Sequence, residues 1–190
     1  MPLTVTFLLI MIMLYALGIF RIIIEWLKTR ILETNRELNG ITFSIIIPFR
    51  NEERNIERCL KSILEQDYNS KLYEIICVDD HSEDNSASIV SSLAANNPQI
   101  KLINNPGFGK KKALRAGIDT STYNHIITTD ADTYRGTRWL SAFSTMFRYK
   151  GIKVVAGTVL MMESKNSVLQ TMQVQDYMAM MAMSIVATRK

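Results

Sequence analysis

Apolar strand-like runs alternate with helical patterns, and three of those runs end in polar residues. The alternation predicts an α/β domain with a mainly parallel sheet and helices on both faces. A long uncharged run at the amino terminus predicts a transmembrane helix in front of it. At 190 residues the length suits one domain with an appendage. A hydrophobic content of 47% excludes a disordered chain, and a net charge of +4 is too diffuse to indicate nucleic acid. Such a charge does suit an anionic ligand or a membrane surface.

The first element is "LTVTFLLIMIMLYALGIF", residues 3 to 20, extended beyond Arg21 by "III". It places a single membrane anchor at residues 1–24 and a charged juxtamembrane linker at 25–41. A cleaved signal peptide is the rival reading. It requires a basic start, a shorter apolar core and a small-x-small cleavage site. Here the start is uncharged, and the small pair Ala16 and Gly18 is followed by more apolar residues. Arg21, Lys28, Arg30 and Arg36 follow the run, so the positive-inside tendency predicts a cell-membrane protein whose remaining chain is cytosolic.

The main domain is expected over 42–160. "TFSIIIPF" (42–49) reads as the first strand. "NEERNIERCLKSILEQ" follows with Ile56, Cys59, Leu60, Ile63 and Leu64 at helical spacing, Asn51 as the expected N-cap, and Glu52 and Glu53 in the first turn. "LYEIICVDD" and "IKLIN" read as strands flanking the helix "SASIVSSLAA". "KKKALRAGI" reads as helix, "HIITTDAD" as strand, "RWLSAFSTMFRY" as helix and "IKVVAGTVLM" as a fifth strand. Residues 161–190 form a Met-rich segment with helical "VLQTMQVQDYMAMMAMSIVATRK", carrying Met172, Met178, Met180, Met181 and Met183. Such a face packs as a core helix or meets lipid or a partner.

Ligands of open parallel sheets bind at the carboxyl ends of the strands. Those ends carry Pro48, Arg50 and Asn51, then Asp79 and Asp80, then Asp130 and Asp132. Alternate carboxylates at a strand end can both approach one hard cation, Mg²⁺ or Mn²⁺, with bound phosphates completing its coordination. The plainer reading is a polar turn with Asp132 capping the next helix. Asp79 and Asp80 can accept hydrogen bonds from a base or a ribose, while Ser82, Asp84, Asn85 and Ser86 suit a helix start. "NNPGFGKKKAL" sets glycines and three lysines at a helix start, favourable for phosphate, with at least one lysine expected to be merely solvated. Neither a Walker loop nor a dinucleotide fingerprint is present. Cys59 and Cys77 read as buried free thiols, and His81 and His125 as local hydrogen-bonding or surface residues rather than zinc ligands.

"SIIIPFRNEERNIERCLKSILEQDY", "YEIICVDDHSEDNS", "GKKKALRAGI" and "ITTDADT" occur in the order and approximate spacing of family 2 glycosyltransferases, which the chain resembles over about residues 42–160. The resemblance implies the GT-A fold, a Rossmann-like sheet for nucleotide-diphospho-sugars. It also implies inverting transfer from a donor, often UDP-linked, to a sugar, lipid or polysaccharide acceptor. It places Pro48, Phe49, Asn51 and Glu52 around the nucleotide, Asp80 near base or ribose, and Lys110 near the donor. Asp130 and Asp132 become the metal–diphosphate motif, with Asp132 the direct ligand. The family's general base belongs to an acidic motif well downstream, and nothing after Lys165 resembles it. The expectation is therefore a donor-binding half, either a fragment or a short gene product. Alternatives are a remnant that binds nucleotide only, and a nucleotidyltransferase.

Overall fold

The computed structural model describes residues 3–27, 40–149, 151–157, 159, 171–174, 176–177 and 180. The chain divides into two compact units, Glu33–Val155 and Met1–Leu32 with Ala156–Lys190. In the latter, helix α1 spans Leu3–Leu27. Its stretch Leu3–Ile24 has a mean hydropathy of 2.6, is not buried by protein, and is long and apolar enough to cross a membrane. Residues 171–174, 176–177 and 180 are helical, with Met172 and Met180 more than half exposed. Met178, Met181 and Met183 lie outside the described residues, as does most of the expected linker.

The unit Glu33–Val155 runs β1 (Phe43–Phe49), α2 (Ile56–Leu64), β2 (Tyr73–Asp79), α3 (Ser86–Asn96), β3 (Ile100–Asn104), α4 (Lys110–Thr120), β4 (His125–Thr128) and α5 (Trp139–Phe147). The strands form one parallel sheet in the order β3-β2-β1-β4. β1 and β2 are buried along their whole length, which explains their unbroken apolar runs. Strand alternation sorts their side chains between two cores. Phe43, Ile45, Ile47, Tyr73, Ile75 and Cys77 pack against α2, α3 and α5. Ile46, Ile76 and Val78 pack on the other face against Ala113 of α4. The chain adds strands in one direction through β3, then crosses back to lay β4 beside β1. That reversal makes the β1–β4 boundary the topological switch point.

Some expectations are corrected. α2 begins at Ile56 with Asn55 as its N-cap residue, not at Asn51. The amides of Asn51, Glu52 and Glu53 are taken instead by side chains of Ser82, Ser86 and Asp84 at 3.1, 2.7 and 3.0 Å, so these residues stay outside the helix. The expected fifth strand is not formed over 152–157; Val154 is 86% exposed, and an unburied apolar run without a paired neighbour gains nothing from extending. His125 is half-buried and makes no hydrogen bond at Nδ1. Its ring packs 5.9 Å from Phe43 and 5.1 Å from Phe147, and Nδ1 is buried without a partner.

At the amino-terminal end of the sheet, buried Glu74 gathers four donors. Ser44 Oγ and the Thr122 amide donate to Oε1 at 2.6 Å each, and Lys101 Nζ and Thr122 Oγ1 to Oε2 at 2.6 and 3.0 Å. Burial works to raise the Glu74 pKa, but the bonds from Lys101, Ser44 and Thr122 together outweigh it and hold the carboxyl below its ordinary value. A depressed folded-state pKa contributes stability above the unfolded value of about 4.3 and loses it as pH falls through the folded value. Glu74→Gln should therefore flatten the acid limb of a stability-versus-pH curve, measured by denaturant unfolding of the detergent-solubilised chain between about pH 5 and pH 3.

α4 approaches the sheet closely through Gly117. A Cβ there would stand 2.4 Å from Ile46 Cγ2 and 3.2 Å from Val78 Cγ2. Ile46 is fully buried and β-branched, so that methyl has little room to yield. Gly117→Ala gains about 1 kcal/mol of helix propensity but should still destabilise by about 1–3 kcal/mol net, read as a lowered Tm.

Candidate active site

β1, β2 and β4 end side by side, and their register fixes what meets there. Phe49 pairs with Asp79, and the ladder continues from the Asp80 amide to the Phe49 carbonyl (2.8 Å) and from the Thr129 amide to the Ile46 carbonyl (3.1 Å). A cleft of about 250 Å³ opens at this edge, lined by Pro48, Phe49, Arg50, Glu52, Asp80, Lys110, Asp130, Ala131 and Asp132. Four separate segments contribute to it: the end of β1, the end of β2, the first turn of α4 and the loop after β4.

Adjacent residues of a strand face opposite sides, and this separates the two acids of β2. Asp79 turns from the cleft, its Oδ1 accepting from the Ser82 amide at 3.0 Å. Asp80 lines it while anchoring the loop before α4: Oδ1 accepts from Asn105 Nδ2 at 2.6 Å, and the Gly109 amide donates to both oxygens at 3.0 Å. Gly109 has φ +88°, and its N–H reaches Asp80 from that conformation. Asn51 is also outside the lining; its Oδ1 accepts from the Glu83 amide at 2.8 Å. Asn51 and His81 follow the two strand ends with φ of +54° and +62°, the left-handed region that Asn and His enter more readily than most residues. The sharp bend at Asn51 is held by Ser82 and Glu83; His81 stacks on exposed Phe108, ring centroids 4.2 Å apart.

Of the three lysines, Lys110 lines the cleft and donates to Asp130 Oδ1 at 2.6 Å, while Lys111 and Lys112 are exposed outside it. Both members of the Lys110–Asp130 pair are more than half exposed, so it is worth at most about 1 kcal/mol and matters mainly for placement. Asp132 is exposed and seven positions before α5, whose N-cap residue is Arg138, so it does not cap that helix. Two accessible hard-oxygen groups on one cleft fit Mg²⁺ or Mn²⁺ taking further ligands from phosphate and water. Among the described residues no three Asp, Glu, His or Cys side chains gather into a complete protein cage.

Sequence reasoning missed the framework of this loop. Arg135 Nη2 donates to Thr129 Oγ1 and to Thr133 Oγ1, the latter at 2.7 Å. Nη1 reaches Cys59 Sγ and the Thr133 carbonyl, both at 3.3 Å. Burial raises the Cys59 thiol above its ordinary pKa against the pull of Arg135, so the sulfur stays neutral, and buried Cys77 is raised likewise. Asn105 and Gly109 were missed as partners of Asp80. The parity of β2, with Asp80 on the α4 face, is the signal that could have found them. A larger hollow of about 410 Å³ lies between α2 and residues 134–135, lined by Tyr134 and by mixed charges including Glu57, Arg58 and Lys61, and it contains neither Asp130 nor Asp132.

The sheet, its switch point and the acidic strand ends define an α/β domain with an open cleft at the carboxyl edge, where open parallel sheets bind their ligands. The family described as glycosyl transferase family 2 matches residues 44–177, and the chain belongs to it. The chain is 44% identical over 94 residues to an uncharacterized glycosyltransferase of Synechocystis sp., covering 48% of this chain and 30% of the relative. It is 37% identical over 97 residues to the poly-β-1,6-N-acetyl-D-glucosamine synthase of Staphylococcus aureus, covering 51% and 23%. Among solved structures, a mannosyltransferase from Pyrobaculum calidifontis in complex with GDP-Man and Mn²⁺ aligns with a TM-score of 0.58 at 28% identity, covering 68% of this chain and 39% of that one. S. aureus TarS 1-349 in complex with UDP-GlcNAc aligns at 0.52 and 25%, covering 56% and 31%. The fold is thus GT-A with a parallel sheet. The chain spans about a third or less of the length of these curated relatives.

Asp80→Asn should cost about 1.5–3 kcal/mol, because the Gly109 amide loses a charged acceptor. Hydrogen exchange should show the Gly109 amide losing protection while β1 amides keep theirs.

Proposed function

We propose that this chain binds a nucleotide-diphospho-sugar, with UDP-linked donors favoured, in the cleft at the carboxyl edge of the sheet, and that it serves transfer of the sugar with inversion to a sugar, lipid or polysaccharide acceptor. The observation that supports this most directly is the convergence of Glu52, Asp80, Lys110, Asp130 and Asp132 from four segments on one cleft. The P. calidifontis neighbour holds GDP-Man with Mn²⁺ and TarS holds UDP-GlcNAc, so a nucleotide-sugar donor fits the fold while leaving the base to be tested.

In this reading Pro48, Phe49 and Glu52 surround the nucleotide and Asp80 stands at the base or ribose. Asn51 and Asp79, both outside the lining, act by shaping the strand ends. Asp130 and Asp132 would hold a divalent cation, which supplies positive charge to a diphosphate. During transfer the bond from the anomeric carbon to the diphosphate oxygen breaks and its electron pair stays on that oxygen. Lys110, within the same cleft, stabilises the charge that develops. The acceptor hydroxyl bonds to the opposite face of the anomeric carbon and gives its proton to a general base. No described residue is assigned that role. The helix Leu3–Ile24 anchors the protein in the cell membrane with the domain 42–160 on the cytosolic side.

Titration calorimetry of the full chain in detergent tests the donor site. UDP should bind more tightly with Mn²⁺ than without it, and Asp132→Ala should remove that gain, a loss of at least about tenfold. Equal UDP affinity for wild type and variant in Mn²⁺ would overturn the metal assignment. Incubation with radiolabelled UDP- and GDP-sugars then separates a transferase, which releases or transfers label, from a chain that only binds nucleotide.

A further inference from the structure

We propose that Arg135 is a positioning residue that shapes the 129–133 loop so that Asp130 and Asp132 meet one divalent cation together. The inference rests on the metal reading above, and it assigns a role to a residue outside the cleft lining.

Thr129 and Thr133 bracket the two acids, and Arg135 closes the loop between them. One guanidinium nitrogen donates to both hydroxyls, and Thr129 Oγ1 lies 3.1 Å from Thr133 Oγ1. Thr133 Oγ1 in turn donates to the Asp130 carbonyl at 2.8 Å, so the backbone between the brackets is drawn into a closed turn. The other nitrogen reaches outward to Cys59 of α2 at 3.3 Å, and Cys59 Sγ stands 3.7 Å from the same Asp130 carbonyl. The guanidinium carbon also lies 4.7 Å from the centroid of the Trp139 ring, at the start of α5. Tyr134, between the loop and Arg135, is covered by Arg58 of α2 with 3.8 Å from guanidinium carbon to ring centroid. The loop is therefore fastened to two helices while both carboxylates stay exposed.

This matters because two like charges one residue apart tend to splay an exposed loop. Small divalent ions demand near-octahedral oxygen placement at about 2.0–2.1 Å, so a splayed pair holds them poorly. A planar guanidinium can serve two hydroxyls, a thiol and a carbonyl at once; the single ammonium of lysine cannot, although it keeps the charge. Partners that orient metal ligands typically govern affinity by about 10–100-fold.

The test is Mn²⁺ binding by the detergent-solubilised full chain, followed by electron paramagnetic resonance of the free ion. Arg135→Lys should weaken Mn²⁺ about 10–100-fold and leave UDP affinity without metal unchanged. It should also lower the preference for Mn²⁺ over Ca²⁺, since Ca²⁺ tolerates irregular coordination. A general loss of packing would not shift that ratio. Where Arg135→Lys fails to fold, the double variant Thr129→Val/Thr133→Val removes the bracketed acceptors and should give the same loss. Wild-type Mn²⁺ affinity in whichever variant folds overturns the proposal. Wild type and Asp132→Ala binding Mn²⁺ equally would overturn the metal reading and this proposal with it; loss in Asp132→Ala alongside an unaffected Arg135→Lys overturns only the positioning role.

Discussion

The in-register parallel pairing of β1 with β2 on one side and β4 on the other is the constraint from which the cleft follows. β1 is fully buried and hydrogen-bonded along both edges, and every group in the cleft except Lys110 of α4 is attached to it or to a strand paired with it. A slip of one residue in β2 would exchange its faces, turning Asp80 into the α2 core and Asp79 toward the cleft. The two apolar cores forbid that slip, since Ile75 and Cys77 belong to one and Ile76 and Val78 to the other. Burial far from the chemistry thus sets which carboxylate is presented.

The strand ends are also joined to one another directly. The amides of the bend after β1 donate to Ser82 and Asp84 of the loop after β2 and to Ser86, which opens α3. The loop before α4 is moored to Asp80, and Lys110 at its end reaches Asp130 beyond β4. A chain of polar contacts therefore runs along the carboxyl edge. At the opposite edge Glu74 performs a comparable duty for β1, β2, β3 and the loop before β4. Both ends of the sheet are fixed by buried carboxylates with protein donors, and one of them, Asp80, also lines the cleft.

The strands and helices of the Glu33–Val155 unit were legible in the sequence because burial there is nearly complete along β1 and β2 and one-sided along α2. The meeting of Pro48, Arg50, Asp80, Asp130 and Asp132 was legible too, since parallel strands put their carboxyl ends together, while Phe49, Glu52 and Lys110 were expected there from the family resemblance. Features set by distant partners were not. Asn51 to Glu53 look like a helix start in isolation, yet their amides are claimed by residues about thirty positions away. "IKVVAGTVLM" has strand composition, but composition does not provide a neighbour to pair with. Arg135 reads as an ordinary charged residue, because its acceptors are two threonines and a buried thiol that only the folded chain assembles.

Lys110 already neutralises one of the carboxylates assigned to the cation, at 2.6 Å. On the proposed reading, the cation competes with the ammonium for that carboxylate, and an ammonium displaced from it finds its next acceptor in a diphosphate. Ion and nucleotide then bind as linked equilibria. Whatever factor one adds to the affinity of the other is returned in equal measure, so each ligand alone is held more weakly than in the other's company.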